Sequence, residues 1–313
     1  MGAAASVQTV RDYKRELRLP DCDEKQPGIE EIKTICGKIS GKTFGNIYHV
    51  YASLKQIREI AIKPPIQTCI FETKIEQKIS RRRNYGNRSR HKEQQCTFVE
   101  NVLRNISVDD NTTVLEIGAG KAELSYIFAE ETKCDNFMID IKASRGPLTN
   151  RMIEGKYKYV IGDATTYSYH SDPFLINKKK IVVVAKHFCS HYIDLAINQI
   201  LRLPNVAAIF YSPCCFEKMH KHAYIFPKHV SALTDDEFRY IATKTNWGTM
   251  PAKKIAKDQF MPYLNEIGRI FRDYLQIGRI KFLEHEKFTV TCYNYVPYET
   301  TPQNLFLCAI RSI

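Results

Sequence analysis

The sequence predicts a doubly wound α/β fold on three observations. From His91 onward, strand-like and helix-like stretches alternate at the length of βα units. The strand-like stretches are apolar and β-branched almost throughout, the texture of strands covered on both faces. The last two, "FTVTCYNYV" and "NLFLCAI", follow a long helical stretch and are joined by a short Pro-containing turn region. That suits an antiparallel C-terminal hairpin added at one edge of a parallel sheet.

The elements follow in order. "HKEQQCTFVENVLRNI" spaces Cys96, Val99, Leu103 and Ile106 at helical intervals and opens the domain. Strand "TTVLEIG", helix "KAELSYIFAEE", strand "NFMIDI" and helix "SRGPLTNRMI" come next, then strands "KYKYVIG" and "KIVVVAK". Helix "SHYIDLAINQIL" and strand "VAAIFY" close the alternating part. After Tyr211 the pattern breaks for about fifty residues. Within them Thr234, with Glu237 three residues on, forms a capping box that starts a helix in "TDDEFRYIATKTNW". The long helix "YLNEIGRIFRDYLQIGRIKFLEH" leads into the hairpin.

At 313 residues the chain can bury a full core without disulfides or structural metal. No apolar run is long enough to span a bilayer, so stable membrane insertion is not expected. The ten cysteines are scattered, with no signal peptide ahead of them and no disulfide-framework spacing, which predicts reduced thiols and an intracellular location, cytoplasm or nucleus. The net charge of +12 is concentrated early: residues 1–92 hold 19 Lys/Arg against 10 Asp/Glu, and the remainder 27 against 24. Within "KIEQKISRRRNYGNRSRHK" eight basic residues stand against one acid. The run reads either as a solvated linker or import signal, or as an arm that tracks nucleic-acid phosphates. Residues 1–90 are accordingly read as a basic accessory region and 91–313 as the main domain. The opening "MGAAAS" also fits the glycine-initiated myristoylation pattern, although one acyl chain would anchor only weakly.

The chemistry concentrates at strand ends. In "VLEIGAGKAELS" a strand ends in Glu116, and Gly118 and Gly120 let the backbone turn tightly beside a ligand before the next helix. The third glycine of a dinucleotide fingerprint is missing, which weakens a pyrophosphate reading. Asp140 ends the next strand, twenty residues past Gly120, where an acid accepts hydrogen bonds from ribose hydroxyls. Asp163 in "VIGDA" ends the third strand. The alternative is that Glu116 and Asp140 cap helices and the glycines only turn the chain, which leaves the recurrence of acids at strand ends unexplained. The pattern is similar to the first motifs of class I S-adenosylmethionine-dependent methyltransferases, so Glu116, Gly118, Gly120, Asp140 and Asp163 are the candidate residues for S-adenosyl-L-methionine.

The fourth strand should then face the transferred methyl group. Lys186, His187 and Cys189 stand at its end in "IVVVAKHFCSHYIDLAI" and form the candidate catalytic set. A lysine desolvated near a sulfonium loses basicity and can align or deprotonate a hydroxyl nucleophile. His187, Cys189, His191, His220 and His222 allow a zinc site to be drawn with the Cys214-Cys215 pair. None of the usual ligand spacings is present, so no metal is assigned.

Taken together, "EIGAGKAELS", "AKHFCSHYIDLAI", "DDEFRYIATKTNW" and "IGRIFRDYLQIGRIKFLEHEKFTVTCYNYV" resemble, in this order, the eukaryotic tRNA 2′-O-methyltransferases that modify nucleotide four of the acceptor stem. The likeness runs from about His91 to the C-terminus. It implies a Rossmann-like class I methyltransferase sheet, S-adenosylmethionine as cofactor, tRNA as partner and methylation of a ribose 2′-hydroxyl. The sequence departs from the family in four places. The family's Cys-Cys-His-His-x-Cys run is represented here by Cys214, Cys215, Phe216, Glu217, Lys218 and Met219. Ala122 and Ser190 stand where the family has glycine, and its N-terminal zinc fingers have no counterpart. The alternatives are an RNA-binding protein that retains the fold without catalysis, or a methyltransferase acting on protein or small molecules.

Overall fold

The structure is a computed structural model that describes residues 89–142, 155–251, 255 and 261–311. The N-terminal glycine, the basic arm up to Arg88 and the helix expected in "SRGPLTNRMI" lie outside the described residues.

Helix α1 (Ser89–Asn105) leads into β1 (Thr112–Ile117), α2 (Glu123–Thr132) and β2 (Asp135–Asp140). Then come β3 (Tyr157–Ile161), the short α3 (Pro173–Ile176), β4 (Lys180–Lys186), α4 (Tyr192–Ile200) and β5 (Val206–Ser212). Three 3-10 turns lie between β5 and α5 (Asp235–Lys244), and another follows α5 ahead of the long α6 (Met261–His285). Strands β6 (Phe288–Asn294) and β7 (Leu305–Arg311) end the domain. The capping box forms as the sequence requires: Glu237 N donates to the Thr234 hydroxyl and Thr234 N to the Glu237 carboxylate.

The seven strands lie in the order β3-β2-β1-β4-β5-β7-β6. The first five are parallel, and β7 runs antiparallel to both β5 and β6. The expected hairpin is therefore present, with its second strand inserted beside β5 and its first at the edge. The result is the Rossmann-like class I methyltransferase sheet that the sequence predicts.

The near-continuous apolar character of the strands has its cause in two separate cores. Ile181, Val183 and Ala185 of β4 point into one, with α4 and the C-terminal half of α6. Val182 and Val184 point into the other, with α1 and α2. All five are at most 1% exposed. Alternate residues of a strand reach opposite faces, so both sets have to be apolar.

Candidate functional site

The sheet winds outward in both directions from the junction of β1 and β4, the place where open α/β sheets leave a crevice at the strands' carboxyl ends. Glu116 pairs with Val184 across that junction, which sets Gly118 level with Lys186. Asp140 and Asp163 follow on the β2 and β3 side, and the loop containing Cys214 and Cys215 on the β5 side. The topology thus gathers every predicted site residue along one edge of the sheet.

The glycine turn is built tightly. Gly118 and Gly120 take φ of +66° and +50°, and Gly120 N donates to an Asp140 carboxylate oxygen at 2.9 Å. The other Asp140 oxygen accepts from Lys142 N at 3.0 Å. Tyr159, which sequence reasoning passed over, donates from its hydroxyl to Gly120 O at 2.9 Å and clips the turn to β3. Burial raises its phenol to about 12, so it remains a donor. Glu116 is 4% exposed and accepts from Ser125 N at 2.9 Å, inside the first turn of α2. That is a capping function, so the helix-capping alternative holds for this residue. Desolvation, only partly offset by the Ser125 bond, pushes its carboxyl up to about 7. Asp163 is exposed, and one carboxylate oxygen accepts from both the amide and the hydroxyl of Thr165, at 2.8 and 2.7 Å.

The fit to S-adenosylmethionine can be judged from this geometry. Asp140 is pinned by backbone amides through single bonds to each oxygen, which leaves lone pairs for ribose hydroxyls. Ile141 and Ile161, 69% and 64% exposed, stand at the ends of β2 and β3 as bare apolar surface suited to an adenine face. A Cβ added at Gly120 would meet nothing within 4 Å, so the backbone there is open to a ligand. At Gly118 an added Cβ would lie 2.5 Å from the Phe188 ring. The expected result is that both variants lose cofactor affinity: Gly118→Ala because its methyl collides with the Phe188 ring, and Gly120→Ala because its methyl enters the space open to the ligand, each with left-handed strain of roughly 1–2 kcal/mol besides. Isothermal titration of each variant with S-adenosylmethionine checks this.

Lys186 is mostly buried, and burial brings its amine down to about 8 even though Glu123, Cys214 and Glu116 pull the other way. No hydrogen bond to its Nζ is seen among the described residues. His187 lies at φ +61° with Nε2 3.4 Å from Gln94 Oε1. Burial and the neighbouring Lys186 lower its imidazole to about 4, so at neutral pH it adds no cation beside Lys186. Gln95 donates to Glu123. The two glutamines of α1 thus brace the end of β4 and the start of α2, a link that sequence spacing alone could not show. Cys189 lies with its sulfur against Cys214, which lowers the Cys189 thiol and raises that of Cys214.

Two substitutions of family glycines acquire a physical meaning. Ala122 and Ser190 both occupy left-handed backbone, at φ +56° and +66°. Ala122 is the N-cap of α2, which is why that helix starts at Glu123 rather than at Lys121. Ser190 N reaches Cys214 O at a long 3.4 Å, and Ser190 O accepts from Arg279. Each costs strain that glycine avoids, so Ala122→Gly and Ser190→Gly should each raise stability by up to about 1 kcal/mol, read from urea midpoints at constant slope.

A family model described as "Methyltransferase TRM13" matches residues 93–310. The chain belongs to this family. Membership makes S-adenosylmethionine-dependent methyl transfer the chemistry of the fold, in keeping with the glycine turn and Asp140. No curated protein matches the chain. Among solved structures, an rRNA methylase from Streptococcus thermophilus is 12% identical, with 73% of this chain and 100% of that one covered at a TM-score of 0.37. The plantazolicin methyltransferase BpumL in complex with SAH is 13% identical, covering 84% and 100% at 0.36. The 23S rRNA methyltransferase ErmE is 13% identical, covering 48% and 55% at 0.29, so this chain spans about half of its length. No described helix is long and apolar enough to cross a membrane.

Proposed function

We propose that the protein methylates a ribose 2′-hydroxyl of tRNA, at nucleotide four of the acceptor stem, with Lys186 as the group that acts on the nucleophile. The observation that carries this reading is the family match over residues 93–310, within which Lys186 ends the strand beside the glycine turn. Bound S-adenosylmethionine would supply an electrophilic methyl on sulfur. Glu116 supports the turn through α2, Asp140 would hold the cofactor's ribose, and Asp163 with Ile141 and Ile161 would border its adenine. The neutral Lys186 amine accepts the proton of the incoming hydroxyl at Nζ as it attacks, and the neighbouring Glu123 and Glu116 carboxyls favour the ammonium so formed. His187 and Cys189 shape the loop that carries this lysine. The shallow minor groove of A-form RNA displays its 2′-hydroxyls, while a basic arm such as residues 74–92 holds phosphates without reading sequence.

The deciding experiment incubates the protein with tRNA and tritiated S-adenosylmethionine and maps the label by nuclease digestion. Label on a 2′-oxygen at position four supports the proposal. Label on protein or small molecules, or cofactor binding without transfer to RNA, replaces it with one of the alternatives.

A further inference from the structure

Three thiols not used in the proposed reaction meet where the loops after β4 and β5 approach each other. Cys189 comes from the first loop, Cys214 and Cys215 from the second, and their sulfurs all lie within 4.8 Å of one another. Cys189 Sγ is 2.7 Å from Cys214 Sγ and 3.2 Å from His187 O. The remaining free cysteines among the described residues, Cys96, Cys134, Cys292 and Cys308, are dispersed singly through the two sheet cores. Cys189 and Cys215 are half-buried, and a small cavity lined by Cys214, Cys215, Phe216, Glu217 and Arg272 borders two of the three thiols.

The geometry points to a zinc site: we propose that Cys189, Cys214 and Cys215 bind one Zn²⁺ as three thiolates, with water in the fourth position. Zinc takes thiolate sulfur at about 2.3 Å in a tetrahedral shell, which needs sulfurs roughly 3.8 Å apart. The Cys189–Cys214 separation has to open by about an ångström, within reach of a side-chain rotation. A disulfide between that pair would engage two thiols and strand the third. On binding, the three thiols release their protons to solvent. Soft sulfur ligands favour zinc over magnesium or calcium.

Such an ion would join two loops that the backbone joins weakly. His187 N to Ser212 O and Ser190 N to Cys214 O are both 3.4 Å, at the long limit of a hydrogen bond. Lys186 stands three residues before Cys189, so a metal clip here would set the position of the lysine.

The test uses the full chain, reduced, stripped of metal and titrated anaerobically with Co²⁺ as the probe. The expected result is one equivalent bound at this site, with tetrahedral ligand-field bands, a sulfur-to-cobalt charge-transfer band, and displacement by Zn²⁺. Cys189→Ser and Cys215→Ser should weaken that binding roughly tenfold or more. Cys215→His, which can still ligate, should recover it, so a folding fault is told apart from a lost ligand. Glu217→Gln and the triple replacement of Cys22, Cys36 and Cys69 by serine should leave the spectrum unchanged. A missing thiolate band would overturn the proposal, as would a band abolished only by the triple replacement. Peptide mapping that finds a Cys189–Cys214 disulfide in the protein as purified without reductant would also overturn it.

Discussion

Lys186→Met should lower single-turnover methylation by roughly 10²- to 10⁴-fold, the usual range for loss of a general base, while S-adenosylmethionine affinity stays within about twofold. Methionine matches the length and apolar stem of lysine, so the strand end stays packed and only the amine is lost. The wild-type rate should also carry the lysine's signature in its pH dependence. Burial holds the amine at about 8. Below that pH the group is an ammonium and cannot accept a proton, so the rate rises with pH and levels off above about 8. Lys186→Arg should behave like the methionine variant, because a guanidinium stays protonated throughout this range. A methionine variant with full activity, or a profile flat from pH 6 to 10, would remove Lys186 from the chemistry.

Arg279→Leu should have the largest effect on stability, about 3–5 kcal/mol in urea unfolding, because it strands a buried carboxylate. Arg279 Nε donates to Asp194 Oδ1 at 2.7 Å, and its Nη2 donates to Ser190 O at 2.7 Å. The two side chains are 2% and 0% exposed. Burial pushes the Asp194 carboxyl up even with the guanidinium beside it, which marks how poorly the acid would tolerate losing that partner. The double variant Arg279→Leu, Asp194→Leu should recover much of the loss, since it removes both charges together. If the double change is as damaging as the sum of the two single ones, the pair is not acting as a coupled unit.

The contrast between these two residues shows what the sequence could and could not disclose. The place of Lys186 at a strand end was legible because its surroundings are local: five apolar residues before it specify a buried strand, and a strand of known rank in the sheet specifies the edge at which it ends. The places of Glu116, Gly118 and Gly120 at the end of β1 were legible for the same reason, though the bond from Ser125 N to Glu116 was not, and Thr234 with Glu237 was legible in full, since a capping box is complete within four residues. Arg279 gave no such signal. It lies in a helix that reads as amphipathic, and its partner Asp194 is 85 residues away. The meeting of Cys189 with Cys214 bridges 25 residues and depends on β4 and β5 being neighbours, which no spacing rule encodes. Tyr159 looked like one more strand residue because its contact is with the backbone of a turn 39 positions earlier. The left-handed backbone at Ala122 and Ser190 is signalled only by the glycines the family has there, because alanine and serine do not themselves announce it.

The two-sided packing of β4 also bears on how this stretch can change. Ile181, Val183 and Ala185 serve one core while Val182 and Val184 serve the other. All are small or medium apolar groups, so exchanges among valine, isoleucine and alanine alter volume by a methyl or two at a time. Deleting a single residue is a different event. It slides every following side chain through the sheet to the opposite face and draws Lys186 one position back from the edge. "IVVVAK" is therefore permissive in spelling and strict in length.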